Sequence, residues 1–517
     1  MWNRRTARVL ALVAVVALVG WTAASAATAG EKAAKRVSKT VEKLAKTGNG
    51  HDKVDVILTF DRTVSASAET DVKGQGGAVN RKYKKLPMMA IRVPRRALEA
   101  VSKSRGVRFV AQDSEVSAMS ESARQTANIP PIGSTYDAVY NGGGYAVAVI
   151  DSGVGAHPDL TILHQQDFTA PKADNNPYDP YGHGTHVAGI ISGYGTASGY
   201  VHWGQAWNAP IVSLRVLNRN GSGATSDLIA ALDWILVNHA RYGIRVANLS
   251  VGKAIEEAAA DDPLVQAVEA VVDAGIVVVC SAGNFGKEGM GSITSPGNSS
   301  KVITVGSWTD KGTASQDDDF LSTYSSTGPT FLDHFLKPDL VAPGNRLVSA
   351  MSNEAALKTD LPERVMDCGT FVCQAPFFEL SGTSMAAPMV SGAAIRMIGK
   401  EPTLNPASVK ARLMASTQPV PGAPTEVGAG LLDVTAALDA TGYTDSAPSP
   451  KMELSSDGTK VYIDDTATTW GVQFPAAVLW DDMVSDDAEK VIDGNVGALS
   501  ANDDAGSSPV ADPASNR

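Results

Sequence analysis

Short continuous apolar runs alternate with longer segments of helical spacing through the middle of the chain, residues 117–442. The runs occur at 145–150, 211–217, 246–250, 276–280 and 302–305. Continuous apolar runs are typical of strands that are buried on both faces. Between them, segments such as 226–242 and 263–274 place apolar side chains at helical spacing. This alternation predicts an α/β fold, a mainly parallel sheet with helices on both faces, and a working site at the carboxyl ends of the strands.

A smaller pattern precedes this block. Partly alternating apolar runs at 54–60, 88–93 and 107–111 are typical of strands, and segment 95–104 between the last two favours a helix. The pattern predicts a separate small α+β unit.

The first 26 residues have the pattern of a secretory signal. Three arginines precede a twelve-residue apolar run at 9–20, and Ala24-Ser25-Ala26 offers a small-residue cleavage site. The alternative is a membrane anchor, but twelve residues are short against the about 20 needed to span a bilayer. No cysteine lies near this site, which argues against a lipoprotein anchor. We therefore expect a secreted, extracellular protein that does not associate with membranes once the signal is removed.

The last part of the chain, 443–517, changes character. It holds 14 acidic residues against 4 basic ones, together with Ser, Pro, Gly and Asp clusters, and it shows no long helical period. Such a composition predicts a largely irregular acidic tail. Four aromatic side chains interrupt it and could dock either on the main domain or on a partner: Tyr462, Trp470, Phe474 and Trp480.

Composition and charge narrow the function classes. The 517 residues are 44% hydrophobic, which excludes wholesale disorder, and the three cysteines are too few for a disulfide scaffold or a four-cysteine zinc site. The net charge of −11 is unevenly distributed: 31–116 carries 19 Lys/Arg against 10 Asp/Glu, and 117–442 carries 18 against 31. Without residues 1–116 the chain carries −23. This balance excludes nucleic acid as a partner.

Three motifs hold candidate catalytic side chains, and each alone has an ordinary structural interpretation. Asp151 ends an apolar run, as turn and cap residues often do. His183 and His186 suggest a metal pair, but the glutamate of an H-E-x-x-H motif is missing and no cysteine is near, so we expect His186 to pack behind His183. Ser384 follows Gly382 and precedes small residues and Pro388, an arrangement also expected of a simple helix start.

Together the three motifs are far more specific than apart. Their order of Asp, His and Ser differs from the chymotrypsin and α/β-hydrolase orders, and there is no G-x-S-x-G motif around Ser384. In this order and in local sequence the chain resembles the subtilisin-like serine peptidases (subtilases) from about residue 145 to 438. Shorter matches extend the resemblance, at 220–223, 282–284, 325–329, 337–344 and 428–430.

The resemblance implies a three-layer αβα domain of subtilisin type and a serine endopeptidase that hydrolyses peptide bonds in proteins through an acyl-enzyme. Ser384 would be the nucleophile, and His183 the base and then the acid. Asp151 would hold the imidazole in the right tautomer. Asn284 would donate to the tetrahedral oxyanion alongside the Ser384 backbone N–H.

By the same resemblance, two groups of residues would bind substrate. The pocket for the side chain before the scissile bond would be lined by Ser250, Val251, Gly252, Ala282 and Gly283. The substrate backbone would pair, as an added strand, with Gly221, Ser222 and Gly223.

Two departures from the family pattern stand out. Thr294 occupies the pocket base, where many members carry glycine, so we hypothesise a shallower pocket that disfavours large aromatic side chains. The segment 345–380 is longer than a compact member needs. It contains Cys368 and Cys373, for which we expect a disulfide in an oxidising compartment, leaving Cys280 a buried free thiol.

The family also implies a zymogen. We divide the chain into a signal peptide at 1–26, a propeptide at 27–120 that assists folding and inhibits the cleft, a catalytic domain at 121–442 and the acidic tail at 443–517. Autocleavage is expected between residues 117 and 128.

No cofactor is expected for catalysis. Structural calcium is common in the family, but no loop specifies a site, and Asp174, Asp179 and the aspartates at 317–319 are candidates by composition alone. We expect a monomer whose partners are protein or peptide substrates and its own propeptide. The alternatives are an inactive binding protein of the same fold and a processing or transpeptidating enzyme specialised for one partner.

Overall fold

The structure is a computed structural model that describes residues 37–61, 63–64, 66–113, 115–118, 127–129, 134–169, 178–310, 317–366, 375–454 and 461–463. The predicted signal peptide, the two cysteines at 368 and 373, Asp174, and Trp470, Phe474 and Trp480 of the tail lie outside the described residues. None of the helices in the described ranges combines the length and the apolar character needed to cross a membrane.

The N-terminal unit, residues 37–113, is a four-stranded antiparallel sheet with helices. Its elements are α1 Lys39–Lys46, β1 Lys53–Phe60, α2 Ala66–Gly74, β2 Ala78–Lys82, β3 Met88–Pro94, α3 Leu98–Ser102 and β4 Val107–Gln112. The strand order is β2-β3-β1-β4, with each neighbouring pair antiparallel. The three predicted strands and the helix at 95–104 are confirmed, whereas α1, α2 and β2 were not predicted. The segments that form them are short, rich in polar residues and contain few apolar positions.

The central unit, residues 127–454, is built on an eight-stranded sheet. The strands of this sheet are β6 Ala146–Asp151, β7 Ile162–Asp167, β8 Ile211–Arg215, β10 Ile244–Leu249, β12 Val277–Ser281, β13 Ile303–Thr309, β14 Phe320–Leu321 and β15 Leu340–Pro343. Seven of them follow the order β14-β13-β12-β10-β6-β8-β7, and β15 also pairs with β13. Every pair is parallel except β13 with β14. All five strands predicted from apolar runs are confirmed.

Helices cover both faces of this sheet and give three layers. The helices are α4 Thr135–Val139, α5 His183–Ser192, α6 Thr225–Tyr242, α7 Pro263–Asp273, α8 Ala356–Asp360, α9 Thr383–Lys400, α10 Pro406–Ala415, α11 Pro424–Val427 and α12 Val434–Asp439. One apolar core joins the sheet to α5 and α9, and a second joins its other face to α6 and α7. Helix α7 begins where the pattern predicts, because Asp262 accepts the N–H of Leu264 and Pro263 needs no donor at the first turn.

Short strands lie outside the main sheet. They are β5 Glu115–Ala118, β9 Ser222–Ala224, β11 Val251–Gly252, β16 Leu347–Ala350, β17 Val365–Met366, β18 Phe377–Leu380, β19 Met452–Leu454 and β20 Val461–Ile463. They form three small sheets, of which β11-β5-β9 joins the segment after the N-terminal unit to the central unit.

The N-terminal unit packs directly on α6 and α7. Apolar side chains from its sheet and the loop before β3 belong to the same buried cluster as these helices, namely Ile57, Tyr83, Leu86, Met88 and Ala90. The two units therefore share one cluster of buried apolar side chains.

The beginning of the predicted tail is also packed on the central unit. Ala447, Ser449 and Met452 are buried, and the Ser449 hydroxyl donates to the buried carboxylate of Asp339 at 2.6 Å. Lys410 donates to the Ser449 hydroxyl at 2.8 Å, so this part of the tail completes a buried polar cluster. Packed structure thus extends past 442, to Met452.

Candidate active site

Two neighbouring strands of the central sheet end at the predicted site. Asp151 is the last residue of β6, and Ser250 follows the end of β10. The parallel register pairs Ile150 with Leu249, so Asp151 and Ser250 leave the sheet side by side. Their carboxyl ends lie at one edge of a parallel sheet, where ligands of such folds are bound.

His183 begins helix α5 and faces Asp151. Its Nδ1 lies 2.8 Å from Asp151 Oδ1, and both side chains are completely buried. Gly182 precedes it with φ 108°, a conformation that favours glycine. A Cβ there would also lie 2.5 Å from the sulfur of Met351, so the turn into the helix has no room for a side chain.

A buried carboxylate braces this turn. Asp179 Oδ1 accepts hydrogen bonds from the Ser152 hydroxyl and from the N–H groups of Tyr181 and Gly182, and Oδ2 accepts from the N–H and the hydroxyl of Thr185. Both oxygens are thus occupied by the chain's own donors, which does not fit a calcium ligand. The compositional expectation for Asp179 is wrong, and within the described ranges no group of three or more metal-ligating side chains occurs.

His186 lies behind the site, as expected. Its Nε2 donates toward the carbonyls of Leu347 and Phe378 at 2.9 and 3.0 Å. Burial, with His183 nearby, lowers the pKa of this imidazole to about 3, so it is neutral over the physiological range. It forms no metal pair with His183.

Ser384, the second residue of α9, is tied to the end of β10 by two hydrogen bonds. Its hydroxyl donates to the Ser250 carbonyl at 3.2 Å, and the Ser250 hydroxyl donates to the Ser384 carbonyl at 2.9 Å. The second bond has a cause in the sequence: an α-helical carbonyl normally accepts the N–H four residues later, and here that residue is Pro388, which has none. Ser250 supplies the missing donor.

Asn284 follows β12 and is oriented by Thr383. The side-chain Oδ1 of Asn284 accepts both the N–H and the hydroxyl of Thr383, each at 3.0 Å. Because the Thr383 N–H can only donate, these bonds assign the oxygen and leave the Asn284 NH₂ group as the donor. Thr383 is a site residue that the motif analysis missed, although it directly precedes Ser384.

The predicted pocket residues come together around Thr294. This buried threonine donates its N–H and its hydroxyl to the Ala282 carbonyl at 3.0 and 3.2 Å. A Cβ on Gly252 would lie 2.6 Å from Thr294 Oγ1, and one on Gly283 would lie 2.8 Å from its Cγ2. Thr294 therefore fills the space between the two glycine-bearing walls.

The strand predicted to pair with a substrate backbone, β9, and the strand β11 of the predicted pocket are both paired with the chain itself. Strand β5 lies antiparallel between β9, which contains Ser222 and Gly223, and β11, which contains Val251 and Gly252. Gly221 precedes β9 with φ 75°, and a Cβ there would lie 2.6 Å from the Tyr181 ring.

Of the three cysteines, the described residues include only Cys280, which is a buried free thiol in β12. Burial raises its pKa to about 12, so it is an unreactive thiol. The proposed disulfide between Cys368 and Cys373 stays a prediction.

Comparisons with known proteins agree with this geometry. The model of the subtilase family matches residues 142–430. The chain is 33% identical to the serine protease AprX of Bacillus subtilis over 71% of this chain and 83% of that protein, and 30% identical to subtilisin E of Bacillus subtilis over 74% and 89%.

A solved structure shows the same fold. Fervidolysin from Fervidobacterium pennivorans, a keratinolytic enzyme related to subtilisin, superimposes with a TM-score of 0.58 at 18% identity, over 82% of this chain and 66% of that one. The family match, the relatives and the arrangement of strand ends and helices lead to one conclusion. The chain is a serine endopeptidase of the subtilase family, with the subtilisin-like fold and the Asp-His-Ser triad characteristic of that family.

Proposed function

We propose that the chain is a secreted endopeptidase, made as a zymogen that processes itself, in which Ser384, His183 and Asp151 form the triad. The observation that carries this proposal is the buried hydrogen bond between Asp151 and His183 at the end of one strand, beside the paired Ser250 and Ser384 at the end of the next.

The proposed reaction begins at the Ser384 hydroxyl. His183 takes its proton as the oxygen adds to the substrate carbonyl, and then gives that proton to the leaving amine. Asp151 accepts from Nδ1 of His183, which directs Nε2 toward the reaction and stabilises the imidazolium that forms. Water then hydrolyses the ester and restores the Ser384 hydroxyl.

The tetrahedral oxyanion would receive its donors from two elements. The amide of Asn284 has its oxygen engaged by Thr383, so its N–H bonds are available to the oxyanion. The Ser384 N–H lies in the first turn of α9, where backbone donors have no intrahelical partner and the helix dipole favours negative charge. No cofactor takes part in these steps.

The substrate would bind as an extended strand between β9 and β11. The pairing of β5 with both strands supports this mode, because the chain's own backbone already adopts it there. Thr294 would limit the depth of the adjoining pocket, and the proteins cleaved would be those that offer extended segments.

The N-terminal unit would act as the inhibitory propeptide. Its Arg81 pairs with Asp227 at 2.8 Å, and Asp233 accepts the N–H groups of the loop before β3, including those of Lys84 and Lys85 at 2.7 and 2.5 Å. These contacts support a unit that stays bound to the central unit while β5 covers the cleft. Secretion rests on the predicted signal at 1–26.

Hydrolysis of casein and covalent labelling by a fluorophosphonate test the catalytic assignment. We expect wild type and the exposed control Ser446→Ala to hydrolyse casein and to become labelled once matured, and Ser384→Ala to do neither and to accumulate as an uncut precursor. Labelling of folded Ser384→Ala, or its normal maturation when purified alone, would refute the assignment. A folded, unlabelled wild type would favour the inactive binding protein.

Profiling of cleaved peptides separates a broad endopeptidase from a specialised processing or transpeptidating enzyme. We expect cleavage at many sites in a protein-derived peptide library. Cleavage of one sequence only, or transfer products in place of hydrolysis, would favour the specialised enzyme.

A further inference from the structure

Strand β5 occupies the cleft in a defined register. Ser117 pairs with Gly252 and Ala118 pairs with Val251 on one side, and Ser117 pairs with Ser222 on the other. Both pairings are antiparallel, so residue numbers that rise along β5 correspond to falling numbers along β11. The chain therefore runs from the N-terminal unit toward the end of β10.

The pairing register of β5 indicates which residue would lie next to Ser384. If the antiparallel pairing of Ala118 with Val251 continues by one residue in each strand, the residue after Ala118 would lie opposite Ser250. The carbonyl of Ser250 accepts the Ser384 hydroxyl at 3.2 Å. A substrate residue opposite Ser250 would therefore be the one next to the Ser384 hydroxyl.

The other end of the connecting segment is anchored beside the start of α12. Ala127 is buried, and its carbonyl accepts the N–H of Val434 at 3.2 Å. The Asn128 amide donates to both oxygens of Asp433 at 3.0 Å. Since β5 ends at Ala118 on the acyl side and Ala127 is fixed beside α12, the interval predicted for autocleavage narrows to the bonds between these two residues.

We propose that the chain cuts itself at the bond between Met119 and Ser120. The inference rests on the proposed function and adds to it the bond that is broken. Ser384 Oγ adds to the Met119 carbonyl carbon, the C–N bond to Ser120 breaks, and the proton passes through His183 to the Ser120 amine. Water then cleaves the ester, leaving a carboxylate on Met119 and the Ser384 hydroxyl as it began.

The direct test identifies the first new chain ends. The chain from residue 27 to 517 is refolded from urea, quenched with acid at intervals, and analysed by intact mass and N-terminal sequencing. We expect the earliest pair of products to end at Met119 and to begin at Ser120. Because β5 lies in the cleft of its own chain, the first-order rate constant should stay the same over a hundredfold range of protein concentration. An earliest cut at any other bond, or a rate that rises with concentration, would overturn the proposal.

Inserting one residue tests whether the cleaved bond is determined by its position in the strand register or by the identity of the residue that precedes it. An alanine inserted between Ala118 and Met119 puts that alanine opposite Ser250, so the cut should move to the bond between the inserted alanine and Met119. The matched control, an alanine inserted between Ser122 and Ala123, should leave the cut between Met119 and Ser120. A cut that remains after Met119 in the first variant would contradict assignment by register.

Fluorophosphonate labelling distinguishes an error in the proposed cleavage bond from an error in the proposed function. A labelled, peptide-cleaving enzyme whose precursor is cut elsewhere overturns only the assignment of the bond. A folded chain that is neither labelled nor cut overturns the proposed function, and this inference with it.

Discussion

A single buried carboxylate, that of Asp179, connects the elements that hold Asp151 and His183. It accepts from Ser152, the residue after Asp151, and from Thr185, two residues beyond His183. The Ser152 hydroxyl in turn accepts the N–H of Gly184 at 2.9 Å. Asp179 is therefore a positioning residue, because it fixes the strand end and the helix start relative to each other without facing the substrate site itself.

The geometry of Asn284 predicts the effect of changing only its donor. Asn284→Asp keeps the oxygen that accepts from Thr383 but replaces the NH₂ group with a second oxygen. We expect kcat to fall at least about 10²–10³-fold with little change in KM, the loss that removing one oxyanion donor causes in subtilisin. Steady-state kinetics on a chromogenic peptide measure this. The control is Asn405→Asp, at a helix start where the side-chain oxygen likewise accepts a backbone N–H; equal kcat values for both variants would contradict the role of Asn284.

The position of Thr294 predicts that large aromatic side chains before the scissile bond are disfavoured. A smaller side chain at this position should reverse that preference. Thr294→Gly removes the atoms between the walls at Gly252 and Gly283, and we expect kcat/KM for phenylalanine before the scissile bond to rise about tenfold relative to alanine. Thr294→Ser, which loses only the methyl group, should give an intermediate ratio. A peptide library in which wild type already strongly prefers phenylalanine and tyrosine would contradict the shallow pocket.

The lowered pKa of His186 predicts that the free energy of unfolding depends on pH. In the unfolded chain an imidazole gains its proton near pH 6.5, whereas in the fold His186 stays neutral down to about pH 3. Unfolding therefore takes up a proton between these values, and the free energy of unfolding should fall as pH falls, by up to about 1.4 kcal/mol per pH unit. Urea unfolding at pH 7, 5.5 and 4.5 in the Ser384→Ala background measures the slope. His186→Gln should reduce it, and an unchanged slope would exclude this residue as a source.

At the scale of elements, Ser384, the proposed nucleophile, is held by two hydrogen bonds between α9 and β10. Pro388 removes one intrahelical donor, and Ser250 replaces it with its hydroxyl. The Ser250 hydroxyl also accepts from the Asn248 side chain at 2.9 Å, so the end of β10 orients it. The helix and the strand are thereby held together at Ser384.

The hydrogen bond from Ser250 to the Ser384 carbonyl predicts that Pro388→Ala should partly restore the stability lost in Ser250→Ala. Ser250→Ala should cost about 1–3 kcal/mol, because it leaves the buried Ser384 carbonyl without a donor. Pro388→Ala restores an N–H at the right place in the helix, so the double variant should recover part of that loss. Urea denaturation of the four proteins in a double-mutant cycle tests this, again with Ser384→Ala to prevent self-digestion. Strictly additive losses would show that the two residues are independent.

The sequence predicted those elements whose pattern is local. The five apolar strands and helices α6 and α7 are recognised because each carries its own periodicity. Strand β7 was missed because its sequence, Ile162–Asp167, is mostly polar and only partly buried at the edge of the sheet. For the site, the motifs identified Asp151, His183 and Ser384, but the roles of Thr383 and Ser250 depend on contacts 99 and 134 residues apart, which no local pattern contains.

At the scale of the whole molecule, two units of opposite charge share an apolar surface. Residues 31–116 carry an excess of nine positive charges, and the rest of the chain beyond them carries −23. Only some of these charges meet directly, as Arg81 and Asp227 do. The apolar contacts of the N-terminal unit with α6 and α7 do not depend on salt, whereas the long-range attraction is screened.

The charge distribution predicts how the N-terminal unit would dissociate after the proposed cleavage. We expect the two pieces to co-elute in gel filtration at 50 mM salt and the fraction separated to rise steadily up to 500 mM, because screening weakens the attraction between them. Arg81→Ala should separate at lower salt than the control Arg105→Ala. Elution that is independent of salt would leave packing as the sole source of affinity.

The position of β5 has a consequence for the timing of activation. The proposed cleavage would leave β5 attached to a folded unit that is bound through α6 and α7, so the product strand would keep a high effective concentration at the cleft. Breaking the bond would then release no activity by itself. Proteolysis of other proteins should begin after a lag, whose length is set by the escape or destruction of the whole N-terminal unit.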